Sequence, residues 1–253
     1  MSENISAILI TYNEESCLER ALKSLDFVQE IILLDSYSTD RTVEIARKYG
    51  AKIFQESFLA FGDQKNKAIL KAQGPWIFWL DADEWVDEQL KKEVLLAVQK
   101  KEQDLFLCSR LTYMQERPMK YGGWFPDYVP RLFKKEAYEF NFGEIHEYLQ
   151  ERKTQKKIKL KKFSVLSGLI HHHSFPTWRH QVLTNLKYAQ IQSRRYKSWP
   201  KYKLICWSLV TPWRKFFEVY FLRLGFLDGI AGLGVAINAA YSHFLRYWLA
   251  LEK

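Results

Sequence analysis

Trp76-Ile-Phe-Trp-Leu-Asp81-Ala82-Asp83-Glu84 is the stretch from which the rest of the chain can be read. Five apolar residues, bounded upstream by Gly74-Pro75, predict a strand buried on both faces, and the run ends abruptly in carboxylates. Asp81 and Asp83 then stand at the carboxyl end of that strand, the edge at which open α/β sheets bind ligands. Two acids at i and i+2, with the small Ala82 between them, can converge on one hard cation that also holds a diphosphate. The bland alternative is a solvated acidic turn that caps a strand.

Upstream, the pattern repeats. Ile5 to Ile10 is an apolar run that ends in Thr11-Tyr12-Asn13-Glu14-Glu15, after which Leu18, Ala21, Leu22 and Leu25 recur at helical spacing. Glu30 to Asp35 predicts a second strand with Asp35-Ser36-Tyr37-Ser38-Thr39-Asp40 as its loop; Thr39 or Asp40 can cap a helix that ends at Gly50. A third strand over Ala51–Gln55, a helix containing Gln64-Lys65-Asn66-Lys67-Ala68, and the strand that delivers Asp81 complete a parallel, three-layer α/β unit.

A chain of 253 residues suits one large domain with an appendage. The net charge of +9 hides an asymmetry: residues 1–150 carry 19 Lys and Arg against 25 Asp and Glu, residues 151–253 carry 19 against 4. The two parts therefore face different partners. Cys17, Cys108 and Cys206 are odd in number and lack metal-ligand spacing, which predicts free thiols in a reducing compartment. Met1-Ser-Glu-Asn has no basic segment before a short apolar run, so no secretory signal is expected and the chain is placed in the cytosol. Neither Gly-x-Gly-x-x-Gly nor Gly-Lys-Ser/Thr occurs, which leaves side chains and a metal to grip any nucleotide.

Ile10-Thr-Tyr-Asn-Glu14, Leu34-Asp-Ser-Tyr-Ser-Thr-Asp40, Gln64-Lys-Asn66 and Leu80-Asp-Ala-Asp-Glu84, in this order, resemble family 2 glycosyltransferases with the glycosyltransferase A fold. Gly123-Trp-Phe-Pro-Asp127, Arg131-Leu-Phe133, Ile145-His-Glu147 and Gly225-Phe-Leu-Asp-Gly229 narrow the likeness to lipopolysaccharide-core β-glucosyltransferases. The resemblance implies a three-layer α/β/α nucleotide-diphosphosugar transferase sheet and an inverting hexosyl transfer, with UDP-glucose the expected donor and a cell-envelope glycolipid the acceptor. It implies that Thr11, Tyr12 and Glu14 line the nucleoside pocket and that Asp35 binds base or ribose. Many relatives carry two acids and a Gly where this chain has Asp35-Ser36-Tyr37, a departure that bears on the base. Asp83 would ligate Mg²⁺ or Mn²⁺, Asp81 would hold the ribose or a metal-bound water, and His172 would add a third metal or diphosphate contact. Lys65 and Asn66 become donor contacts, although Lys65 and Lys67 could equally form an exposed helix face. For the base that deprotonates the acceptor, Glu147 comes first, Asp127 second and Glu144 third; His146 replaces an acid found in relatives.

Three further stretches stay double-valued. Tyr121 to Pro130, rich in Gly, Pro and aromatics, predicts a loop that either stacks on a sugar or is sealed by its own rings. Glu151 to Lys162 holds seven bases in twelve residues, with Ile158 and Leu160 alternating as in an edge strand; it either blocks aggregation or attracts an anionic surface. His171-His172-His173 alternate across a strand, so at most one or two can reach one ion.

The domain boundary is set at residue 175, with 1–175 catalytic and 176–253 a helical extension. There Trp213, Phe216, Phe217, Tyr220, Phe221 and Leu224 form one stripe of a helix that Pro212 can start, with Arg214, Lys215, Glu218 and Arg223 off it. Gly229 to Leu245 is uncharged but short for a bilayer span. The extension is expected to lie on the anionic cytoplasmic face of the inner membrane, or to pack on the catalytic domain or a second copy. Competing functions are a nucleotidyltransferase or nucleotide-sugar hydrolase on a similar sheet; nucleic-acid binding would leave the acidic half without a purpose.

Overall fold

The computed structural model describes residues 4–100, 102–142 and 147–252. They form two compact units: residues up to 110 together with 127–172, and residues 111–126 together with 173 onward. Asp35, Lys65, Asp81, Asp83 and Glu147 all belong to the first. The chain crosses between the units a third time at 172–173, and 111–126 goes with the later part rather than with 1–110. Met114, Met119 and Trp124 bury their side chains with Phe175, Val219, Ala231 and Val235, and this apolar cluster draws the segment into the second unit.

In the first unit, β1 (Ile5–Thr11), β2 (Glu30–Asp35), β3 (Lys52–Gln55) and β4 (Trp76–Trp79) are joined by α1 (Leu18–Lys23), α2 (Thr42–Lys48) and α3 (Phe61–Lys71). The four strands run parallel in the order β3-β2-β1-β4. Beyond β4 the chain adds β5 (Glu84–Val86), α4 (Glu88–Lys100), β6 (Leu105–Met114), β7 (Arg117–Pro118), β8 (Asp127–Lys134), β9 (Tyr138–Phe140), β10 (Leu149–Glu151) and β11 (Val165–Phe175). The sheet continues β4-β8-β6-β11-β5 with antiparallel pairing at β4–β8, β8–β6 and β11–β5, so the parallel unit is one half of a mixed sheet.

Alternation along β1 explains the layers. Ile5, Ala7 and Leu9 pack with Leu18 and Leu22 of α1 and Leu90 and Val94 of α4 on one face. Ile8 points to the other face and packs with Ala68 and Ile69 of α3 and with Phe140 and Leu149 of the small β9–β10 sheet. Trp76, Ile77 and Phe78 are fully buried, as a strand covered on both faces requires.

Two local expectations change. Asp127 to Pro130 opens β8, because Arg110 and Asp127 pair across the ladder, so the irregular segment ends at Pro126. The basic run is not an edge strand: Glu151 closes a turn with Gln155 in the left-handed region, Ile158 returns to hydrogen-bond Leu149 and is buried, and a 3₁₀ turn at Leu160–Lys162 leaves Leu160 exposed.

The second unit carries α5 (Trp178–Ser193), α6 (Lys201–Phe217) and α7 (Gly229–Trp248). Pro200, not Pro212, precedes α6; Pro212 lies inside the helix. The predicted aromatic stripe divides. Phe216 and Tyr220 turn inward onto the apolar cluster, whereas Trp213, Phe217 and Phe221, on the adjoining i, i+4 row, are exposed; a π-helical turn follows at Glu218–Leu222. The chain reverses through Leu224, and Gly232 of α7 meets the Gly225 carbonyl where a Cβ would collide.

Candidate active site

The site is built where β4 stops. Leu80 donates its last ladder bond to the Ile8 carbonyl, and the chain then turns so that the Glu84 amide reaches the Asp81 carbonyl at 3.1 Å. Ala82, buried, gives the turn its small centre. The three carboxylates consequently diverge into different surroundings.

Glu84 points inward and is fully buried. It accepts from Arg131 Nη2 at 2.6 Å, from Arg110 Nη1 at 3.4 Å and from the Asp81 amide at 3.1 Å. Burial pushes its carboxyl up; Arg131 pulls against this, and the nearby Asp81 charge adds to the rise. Asp81 accepts from Arg131 Nη2 at 3.3 Å and stands 3.9 Å from Lys65 Nζ. Its shelter alone would raise its pKa, but Lys65 and Arg131, with His172 and Arg110 behind them, hold it well below the usual carboxylate range. Lys65 and Arg131 both lie against the indole of Trp79, at 3.8 and 3.4 Å from its ring centroid.

Asp83 faces outward beside β11. The antiparallel register sets His172 opposite Glu84, and His172 Nε2 comes 3.2 Å from Asp83 Oδ2. Burial favours neutral His172, but the bond to Asp83 and the charges of Glu84 and Asp83 raise its pKa overall. His171 points to the other face, stacked on Trp85. His173 reaches Glu116 at 3.5 Å within the second unit.

Lys65 is not on an exposed face of α3. It is buried, and its ammonium binds Glu147 Oε1 at 2.8 Å. One lysine therefore joins the favoured base to the first aspartate. Asp127, the second choice, is gripped through Oδ2 by Arg110 at 2.9 and 2.6 Å. Glu147 lines a cavity of about 330 Å³ walled by Trp79, Tyr128, Phe140, Tyr148 and Lys157; Asp127 does not. Glu144 and His146 lie outside the described residues.

On the neighbouring edge, the loops after β1 and β2 brace each other. Asn13, in the left-handed region, accepts from the Thr39 amide through its side chain and donates its own backbone amide to Ser38 Oγ; the Glu15 and Asp40 carboxylates accept from the backbone amides of residues 41 and 15. Thr11 donates to Asp35, whose buried carboxylate also accepts from Ser38 and Gln55. Asp35 thus holds the two loops together at the edge where the contact with base or ribose is expected. Tyr12 and Tyr37 leave their rings exposed at this edge. Glu14, shielded beside Cys17 Sγ at 3.1 Å, has its pKa raised, by burial first and by the nearby acids Asp83, Asp40 and Asp81. Asn66 clamps α3 to β9: its amide donates to the Phe140 carbonyl at 2.7 Å and accepts from the Phe140 amide at 2.8 Å.

The model for "Glycosyl transferase family 2" matches residues 6–173. The chain belongs to glycosyl transferase family 2. Among known proteins, this family 2 transferase is 29% identical to an uncharacterized glycosyltransferase of Rickettsia conorii, over 97% of this chain and 89% of that one. It is 27% identical to the lipopolysaccharide core biosynthesis glycosyltransferase LpsC of Rhizobium meliloti, over 92% of this chain and 84% of that one. In fold it resembles S. aureus TarS residues 1–349, solved in complex with UDP-GlcNAc, with a TM-score of 0.50 at 15% identity over 96% of this chain and 90% of that one. The glycosyltransferase A architecture expected from the motifs is the one observed.

The family 2 site tests its expected metal unevenly. Among the described residues, no three His, Cys, Asp or Glu side chains converge. Asp83 and His172 stand together, whereas Asp81 is turned to Arg131 and Lys65. A carboxylate and an imidazole side by side fit Mg²⁺ or Mn²⁺, which take one or two protein ligands and fill the rest with phosphate oxygens and water. Lys65, Arg110 and Arg131 pair with Asp81, Glu84, Asp127 and Glu147, whereas Asp83 stands with His172 and near Glu14. Arg110, Arg131, Glu84 and Trp79 did not stand out in the sequence. Arg131-Leu-Phe133 marked only a likeness, and the burial of Glu84 beside two outward-facing acids has no local signature.

Proposed function

We propose that this family 2 glycosyltransferase moves a hexose, glucose in the first instance, from a nucleotide-diphosphate sugar to a hydroxyl of a lipopolysaccharide-core or related envelope glycolipid, with inversion at the anomeric carbon. The observation that carries the reading is the joining of Glu147 to the Asp81–Asp83 turn through Lys65, at the wall of an aromatic cavity of sugar size. The name of LpsC supports the acceptor class, and the UDP-GlcNAc held by TarS supports a uridine donor.

In this reading the acceptor sugar stacks on the rings of the cavity and presents a hydroxyl to Glu147, whose Oε2 is not engaged by Lys65. Glu147 takes the hydroxyl proton as the acceptor oxygen attacks, and the adjacent Lys65 ammonium loses part of its partner's charge at that moment. Asp81, kept ionised by Lys65 and Arg131, orients the ribose side of the donor, and Tyr12 and Tyr37 offer rings to its base. Asp83 with His172 would hold Mg²⁺ or Mn²⁺, which when bound would supply positive charge against the departing diphosphate. Removing a single donor of transition-state stabilisation typically costs roughly 2.7–4 kcal/mol.

The test is a thermal-shift screen of nucleotide-sugars with and without Mn²⁺, followed by product analysis. A cognate donor at a hundredfold excess over its dissociation constant stabilises by about 2.7 kcal/mol. Asp83→Asn should lose the metal-dependent part of that shift and keep the melting temperature of the free protein. If no nucleotide-sugar stabilises the protein, the reading fails. Free sugar released without an acceptor would identify a hydrolase instead.

A further inference from the structure

The second unit exposes an apolar surface that catalysis does not use. Along α6, residues 204–213 carry no charge, and Ile205, Leu209, Val210 and Trp213 are exposed, Trp213 at 78%. On α7, Ile230, Leu233, Ile237 and Tyr241 recur at helical spacing and are exposed as well, Ile230 at 78%. Between the helices, Pro212, Trp213, Phe216, Leu233, Ile237 and Ala240 line an almost wholly apolar groove of about 400 Å³. Soluble proteins rarely leave so continuous a patch to water.

Charge decides what covers it. Between Pro176 and Leu224 ten Lys and Arg stand against one acid, Glu218, and that acid is already taken by Lys215 and Arg223. Arg194, Arg195, Lys197 and Lys201, at the start of α6 and just before it, and Arg214 and Arg223 toward its other end, are all exposed. A second copy docked on the same face would bring these cations against their own images. An anionic head-group layer would instead neutralise them. Among the described residues no single helix is long and apolar enough to cross a membrane. The segments Lys201–Leu222 and Gly225–Leu251 reach the required hydropathy only together, bent by 72° at their junction. Such a pair suits lying in the interface, with its apolar side lowered into the acyl region.

We propose that α6 and α7 form a bilayer-docking surface that takes anionic phospholipid, with acyl chains against the groove and head groups on the flanking cations. This is independent of the donor and the base, so it can fail while the transferase reading stands.

The experiment is flotation of the full-length protein with vesicles of phosphatidylcholine alone or with phosphatidylglycerol added, alongside the double substitution Trp213→Glu, Ile230→Glu. Both positions are exposed, so the variant should keep its circular dichroism and melting temperature. The protein should float with the anionic vesicles at low salt and much less in about 0.5 M salt, where charges are screened beyond roughly 4–5 Å. The variant should partition at least about tenfold more weakly, equivalent to ~1.4 kcal/mol. Retention at the bottom with anionic vesicles at low salt would overturn the proposal, as would flotation of the variant equal to that of the wild type. A dimer by light scattering that the double substitution splits, without any flotation, would assign the face to a second copy.

Discussion

Replacing Glu147 by Gln removes a charge while keeping the shape. The amide oxygen can still accept from Lys65 Nζ, now 2.8 Å from Glu147 Oε1, and Lys65 keeps Asp81 at 3.9 Å and the Trp79 ring at 3.8 Å, so the buried ammonium is not orphaned. The expected stability cost is therefore that of weakening one charge-assisted bond, about 1–2 kcal/mol. Catalysis should suffer far more. An amide cannot accept the acceptor's proton, and a positioned general base contributes about 10²–10⁴ in rate, which corresponds to roughly 2.7–5.4 kcal/mol of barrier. Donor affinity should change little, because the loss falls on the step and not on the ground state. Steady-state release of nucleoside diphosphate, measured with saturating donor and acceptor, gives the comparison, and a melting curve supplies the control. A Glu147→Gln enzyme within threefold of wild-type kcat would remove Glu147 from the role. Asp127 would then be the residue to vary, despite the Arg110 guanidinium that now holds it at 2.6 Å.

Two further outcomes concern stability. Arg131→Met leaves Glu84 buried with Arg110 at 3.4 Å and the Asp81 amide at 3.1 Å, and breaking a buried pair on one side costs about 3–5 kcal/mol; melting should fall by roughly 6–20 °C, and a drop under about 2 °C would contradict the assigned pairing. Glu30, where Ser6, Lys52 and the Gln73 amide converge, has a lowered pKa: burial would raise it, and those three bonds outweigh burial. A depressed carboxylate pKa contributes stability that is present above the unfolded value and lost as pH falls through the folded one. Glu30→Gln should accordingly cost about 1.5–3 kcal/mol at pH 7, and its melting curve should converge on the wild type's as pH drops below about 4.5.

What the sequence disclosed was what local pattern encodes. The apolar run into Asp81-Ala82-Asp83 fixed one strand and its carboxyl edge, and the repeats before it set the parallel half of the sheet. The antiparallel half was less legible, because β8 begins among aromatics and prolines that read as a loop, and only its ladder with β6 makes it a strand. The binding roles were hardest, since they depend on what a side chain meets far along the chain. Lys65 meets Glu147 across 82 residues, Arg131 meets Glu84 across 47, and Asn66 is consumed by Phe140 across 74. Nothing in Gln64-Lys65-Asn66-Lys67 says that its first lysine turns inward while the second pairs with Glu56 and Asp63 nearer the surface. Pro212 shows the same limit in reverse: it looks like a helix start, yet a helix begun at Lys201 carries it in its interior.

The burial of Glu84 gives the acidic turn its division of labour. Three consecutive outward carboxylates would repel one another and blunt any preference among them for a cation. Drawing Glu84 inward onto Arg131 fixes a guanidinium behind the turn, and the same Nη2 that binds Glu84 at 2.6 Å also reaches Asp81 at 3.3 Å. Lys65 completes the cationic wall, and Trp79 holds both cations in place through its ring. Asp81 is thereby kept ionised yet partly neutralised, which suits hydrogen-bond acceptance better than metal ligation. Asp83 has His172 beside it, with Glu14 nearby, and is not paired with Lys65 or Arg131. Asp81 and Asp83 thus stand in different surroundings, one against cations and one outward beside His172, and the difference is imposed by Glu84 and Arg131.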